Sequence, residues 1–216
     1  AILYHADAEW MNFDGGAMLT QVPAKILYDN HIDFDILPAD CFTDDSGSRI
    51  YAASAENGRL RVGRETYSCL IVPAAVHLPE KLSRALRSLA DAGVPVIFME
   101  NGSGDTLLDD LLPILHRGIT VEGSYPLLRC CHYTAEENEI YMFVNESVSD
   151  IVKTAVTLRD AAGFDSCTLI DLLNSETCTA GVSGGVLQLD LAPYQSVIAV
   201  FERDTACVLP EKKSYT

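Results

Sequence analysis

The chain has 216 residues, 48% of them apolar, which is enough to bury one large core or two small ones without metals or disulfides. With 15 basic and 31 acidic residues, its net charge of −16 repels phosphate backbones and anionic lipid headgroups. Nucleic acid and membrane partners are therefore excluded, and no stretch approaches the roughly 20 apolar residues that a spanning helix needs. Neutral ligands and protein partners remain.

The sequence opens on AILYHADAEW, with neither an initiator Met nor the basic and apolar regions of a signal peptide, as expected of an excised or processed chain. Seven cysteines, at 41, 69, 130, 131, 167, 178 and 207, form no CxxC pair and lie mostly in apolar runs such as SCLIVP. Buried free thiols in a reducing, cytoplasmic compartment are expected, with export of a parent protein by a signal outside these residues as the alternative. Adjacent Cys130 and Cys131 should point to opposite faces of a strand.

In chain order, AILYH reads as a strand, and AMLTQVPAKILYDNH as a helix with Met18, Val22 and Ile26 on one face. DFDILPAD reads as a second strand. After a polar stretch around DDSGSR, a Gly63-Arg64 turn should join a short strand to the apolar run Cys69 to Val72. Pro79 opens the clearest helix, with Leu82, Leu86 and Leu89 on one face and Gly93 past its end. PVIFME follows as a strand, and after NGSGD the segment TLLDDLLPILH reads as a helix that closes the unit near Gly118. Strands alternating with helices predict a parallel, doubly wound sheet.

Beyond Gly118 helical periodicity fades. LLRCCHY, EIYMFVNES, IVKTAVTLRD, SCTLIDLL, ETCTAG, GGVLQLDLA and YQSVIAVFERD predict six or seven strands of a Greek-key β-sandwich. The expected division is an α/β domain over 1–120, a β-sandwich over 121–210 and a tail over 211–216.

In open α/β sheets, ligands gather at the carboxyl ends of strands. Strand one runs into His5, Asp7 and Glu9, which alternate and share a face if the chain stays extended; the third strand runs toward His77 and the fourth ends at Glu100. Such a set could hold a divalent metal or act on a glycosidic bond. The simpler reading is a solvated strand end carrying capping carboxylates, because no fixed spacing such as HExxH occurs. Trp10, the only Trp, could stack on a sugar ring or plug the sheet edge.

Other catalytic signatures fail on spacing. Cys69 lacks the glycine-flanked elbow of a nucleophile and reads as a buried thiol. Gly15-Gly16 and Gly102-Ser-Gly104 match no phosphate loop, and Gly181-Val-Ser183-Gly-Gly185 departs from GxSxG. No cofactor signature is present.

The blocks AILYHADAEWM, FDILPAD, YSCLIVPAAVHLPE, GVPVIFMEN, EIYMFVNES and LQLDLAPYQSVIAVFE resemble the C-terminal accessory regions of large bacterial glycoside hydrolases. The resemblance implies a flavodoxin-like layer, related to class I glutamine amidotransferase folds and to β-galactosidase trimerisation domains, followed by a β-sandwich. It also implies that the catalytic carboxylates lie in a separate barrel, so no catalytic residue carries over to this chain. A non-catalytic accessory role in carbohydrate metabolism is expected, structural or oligomerising, with the strand-end residues His5, Asp7, Glu9, Trp10, His77 and Glu100 lining a substrate cleft. The implied partner is the catalytic domain of the parent glycosidase, with carbohydrate and further copies of the chain as candidates. The alternatives are a carbohydrate-binding module and a stand-alone amidotransferase-like or hydrolase enzyme.

Overall fold

The computed structural model describes residues 1–10, 16–43, 51–101, 103–136 and 138–202, and the chain divides into two compact units, Ala1–His116 and Arg117–Thr216. The DDSGSR stretch, the first glycine of Gly15-Gly16, Gly102, Cys207 and the 211–216 tail lie outside the described residues.

Unit one holds, in chain order, β1 (Ile2–Tyr4), α1 (Ala6–Trp10), α2 (Gln21–Asp29), β2 (Ile36–Pro38), α3 (Asp40–Thr43), β3 (Ala53–Glu56), β4 (Arg59–Val62), β5 (Glu65–Tyr67), β6 (Leu70–Val72), α4 (Glu80–Asp91), β7 (Val96–Phe98) and α5 (Leu107–Leu111). Four of the strands form a parallel sheet in the order β2-β1-β6-β7, with Ile2 opposite Ile36 and Ile71 opposite Ile97.

Successive residues of these short apolar strands point to opposite faces, and helices cover both. Ile2, Ile71 and Ile97 meet Leu27 of α2 with Leu107 and Leu111 of α5. Leu3, Leu37, Leu70 and Val72 meet Leu82, Leu86 and Leu89 of α4, the face predicted from the sequence. Burying each such side chain contributes roughly 2 kcal/mol. Gly93, at φ +90°, ends α4 as expected.

The predicted α2 face does not form as read. Met18 is held extended by its N–H to the Ala74 carbonyl (2.7 Å), so the helix begins later, at Gln21; it buries Pro23 and Leu27 and leaves Val22 exposed. A second, three-stranded sheet, β3-β4-β5, was only half anticipated. Its first hairpin turns on Asn57-Gly58, with φ of +52° and +74°, the pair of positive φ angles that a type I′ turn requires. Its second does turn on Gly63-Arg64, but the turn leads into β5 and not into the apolar run ending at Val72, which forms β6 of the parallel sheet; Leu60 and Val62 of β4 enter the α4 core.

Unit two contains β8 (Ile119–Val121), β9 (Leu128–Ala135), β10 (Asn138–Asn145), β11 (Val152–Leu158), β12 (Ser166–Asp171), β13 (Glu176–Gly181), β14 (Val186–Leu191) and β15 (Ser196–Phe201). They form two antiparallel sheets, β13-β12-β15-β10-β9 and β14-β11-β8, whose facing side chains, among them Tyr141, Phe143, Val156, Leu158, Leu187 and Phe201, make one core. The strand β8 escaped the sequence reading; it pairs with the far end of β11, with Ile119 opposite Leu158.

Gly185 fixes the turn between β13 and β14. Its φ is +79°, and a Cβ there would lie 2.4 Å from the Leu158 carbonyl oxygen, so only glycine fits. Asn145 is fully buried, and its amide donates to the carbonyls of Asp150 (2.7 Å), Ala192 (3.0 Å) and Leu191 (3.2 Å) while its oxygen accepts the Ser147 N–H. No disulfide joins the six described cysteines: Cys69 and Cys167 are buried, Cys130 packs inward, and Cys131 and Cys178 are exposed. Among the described residues no helix is long and apolar enough to cross a membrane.

Candidate functional site

The carboxyl end of the parallel sheet is built differently from the extended strand end read in the sequence. After β1 the chain turns at once into α1, where Glu9 N–H donates to the His5 carbonyl (3.2 Å). Residues two apart on a helix lie about 200° around its axis, so Asp7 and Glu9 do not share a face. The alternation that suggested a strand is local composition in a five-residue helix, too short to show its own period.

Glu9 and His5 nevertheless meet at one place. They line a cavity of about 10 Å³ with Leu3, Met18, Thr20 and Ala74. Glu9 Oε1 accepts both the backbone N–H (2.8 Å) and the hydroxyl of Thr20, the residue before α2, where a carboxylate also benefits from the helix dipole. His5 is only 9% exposed, and among the described residues neither ring nitrogen has a hydrogen-bond partner. Leaving a buried polar group unpaired costs on the order of 1–3 kcal/mol. The roof is a short antiparallel ladder between Gly16–Met18 and Ala74–Val76, in which Val76 N–H donates to the Gly16 carbonyl (3.1 Å).

The other predicted residues stand apart from this cavity. Asp7, His77 and Glu100 are exposed. Trp10 is 76% exposed, which removes its reading as a plug of the sheet edge. Among the described residues no group of three or more His, Cys, Asp or Glu side chains is placed to hold a metal ion.

Sequence reasoning missed the larger cavity, about 300 Å³, at the opposite, amino ends of the strands, lined by Leu27, Phe34, Asp35, Tyr67, Cys69 and Leu111. The alternating acids of HIDFDIL were its available signal. Tyr67 donates to Asp35 Oδ2 (2.8 Å); burial, then that carboxylate, pushes its phenol pKa up. Burial also raises the Cys69 thiol, so thiolate chemistry is disfavoured there.

No protein-family model matches the sequence, and no curated protein matches it significantly. Among solved structures, the chain is similar to a rhamnosidase from Novosphingobium sp. PP1Y, at 16% identity and a TM-score of 0.56 over 86% of this chain and 21% of that one. It is also similar to Gan42B, a GH42 β-galactosidase from G. stearothermophilus, at 10% identity and a TM-score of 0.51 over 94% of this chain and 40% of that one. The likeness is one of fold, and the chain spans about a fifth and two fifths of these glycoside hydrolases.

Proposed function

We propose that the chain is a non-catalytic accessory region of a glycoside hydrolase, working in carbohydrate metabolism beside a separate catalytic domain. The observation that carries this reading is the pairing of coverages: nearly all of this chain matches glycosidases of which it accounts for a minor part. In the finer form of the proposal, unit one is flavodoxin-like and unit two a β-sandwich. The parallel strand order β2-β1-β6-β7 supports the first, since it runs 2-1-3-4 among the parallel strands. The shared core of two antiparallel sheets supports the second.

In this role the strand-end surface of unit one, with His5 and Glu9 beneath and Trp10 exposed, contributes to the wall of a cleft whose acid and base come from the partner domain. A panel of nitrophenyl glycosides incubated with the 216-residue chain should show no turnover above buffer; robust turnover would overturn the accessory role.

The exposure of Trp10 favours one second reading, a carbohydrate-binding module, because an indole face open to solvent can stack on a sugar ring. Retardation in affinity electrophoresis on soluble polysaccharide, abolished by Trp10→Ala, would select it. The stand-alone amidotransferase-like enzyme is weakened by the burial of Cys69. Rapid labelling of that thiol in the native protein would revive it.

A further inference from the structure

At one end of unit two, the end where β10 finishes at Asn145, four loops are tied into a row by hydrogen bonds. Gln195 Nε2 donates to Asp171 Oδ2 (2.9 Å), Asn145 N–H donates to the Gln195 carbonyl (2.9 Å), and Glu146 N–H donates to the Leu127 carbonyl (2.9 Å). Ser147 adds a turn of its own: its Oγ accepts the Asp150 N–H (2.8 Å) and donates to the Asp150 carboxylate (3.0 Å). These loops are pinned to the sheets by polar contacts, yet their tips are apolar. Leu127, Val148, Ile151, Leu172, Leu173 and Tyr194 all stand exposed, Leu173 at 75% and Val148 at 71%.

Large apolar side chains scattered singly need no explanation, but six on adjoining, preorganised loops form a patch of the kind that marks an interface. The strands that enter and leave the unit have their outer ends, Ile119 and Phe201, at the opposite end, since Ile119 pairs with Leu158 and Phe201 with Glu139.

The rim decides what fits. In the segments that carry the patch the only basic residues are Arg129 and Lys153, already ion-paired with Glu146 (2.7 Å) and Asp190 (3.2 Å). Glu122, Asp150 and Glu176 are exposed and remain in excess. A second copy would bring the same acidic rim against this one, and the single ring of Tyr194 among aliphatic tips is a poor sugar platform. We infer that this loop end is a docking surface for a protein face of complementary chemistry, apolar at its centre and rimmed by lysine or arginine. Apolar contact supplies the affinity and the acidic rim supplies steering and specificity.

The test uses the whole chain and a fluorescein-labelled amphipathic helical peptide of leucine and lysine, with a leucine and glutamate peptide as its counterpart. Fluorescence anisotropy should show saturable binding of the lysine peptide only. Leu173→Ser and Tyr194→Asn, which leave every charge in place, should each weaken binding about tenfold with an unchanged thermal melt. Asn tolerates the positive φ of Tyr194 (+60°), so the second variant guards against misfolding of the first. Absence of binding, binding indifferent to both substitutions, or equal binding of the two peptides would overturn the proposal. So would self-association in the ultracentrifuge that Leu173→Ser abolishes, which would make a second copy the occupant.

Discussion

His5 in unit one and Asn145 in unit two are both buried polar side chains at the end of a sheet, but their surroundings differ completely. Asn145 uses its amide three times and its oxygen once, tying the loops after β10 and β14 together. Among the described residues His5 finds a partner for neither ring nitrogen. A satisfied buried amide fixes a structure, whereas an unsatisfied imidazole costs stability. The contrast separates a framework residue that unites loops from a buried ring that the described contacts leave unused.

The largest expected effect is on the framework side. Asn145→Ala leaves buried carbonyls and the Ser147 N–H unpaired and should cost about 3 kcal/mol, lowering the unfolding temperature of unit two by roughly 10 °C or more. A calorimetric shift under a third of that would mean water replaces the amide. Next comes a pair of glycines. Gly185→Ala places a methyl against backbone at positive φ and should cost about 2 kcal/mol, while Gly16→Ala meets only the side chain of exposed Val76 and should stay within about 0.5 kcal/mol. Equal costs in chemical denaturation would show that the Gly185 turn is no more demanding of glycine than the Gly16 position.

His5→Leu should act in the opposite direction, stabilising unit one by about 1 kcal/mol, because it replaces unpaired nitrogens with apolar surface of similar size. A lower melting temperature would instead show that the ring is stabilising where it sits. The smallest effect is pH-dependent. The Asn174 backbone N–H, then the side chains of Gln195 and Asn174, hold the Asp171 carboxyl below its usual range. The folded state therefore takes up this proton less readily than the unfolded chain. Its stabilisation is complete above about pH 4 and is lost as the pH falls through the lowered folded value. The stability difference between the protein and Asp171→Asn should shrink across that acid range; a constant difference would remove the assignment.

How much of this was legible in the sequence depended on the length over which a pattern could repeat. The helix α4 spans 12 residues, and Leu82, Leu86 and Leu89 declared both its existence and its buried face. The helix α1 spans five, so His5, Asp7 and Glu9 displayed only an accidental alternation. The β3-β4 hairpin was marked by Asn57-Gly58, a signal that was present and unused. The strand β8 has three residues and is recognisable only through its partner β11. Strand ends were identified by chain order, but the meeting of Glu9 with Thr20 depends on the Gly16–Met18 ladder, a tertiary contact that no local pattern encodes. Nothing in the run EIYMFVNES sets Asn145 apart, because its partners are up to 47 positions away.

The two exposed thiols of unit two have a redox consequence. Cys131 lies on β9 and Cys178 on β13, the two edges of the five-stranded sheet, in nearly the same row: Cys131 pairs with Met142, Met142 with Ile198, Ile198 with Ile170, and Cys178 sits opposite Leu169 beside it. Four strand spacings separate them by about 19 Å, far beyond the reach of a disulfide. A disulfide between these two residues of one molecule is therefore closed off, and under oxidising conditions with a two-electron acceptor such as peroxide each edge meets oxidation independently of the other.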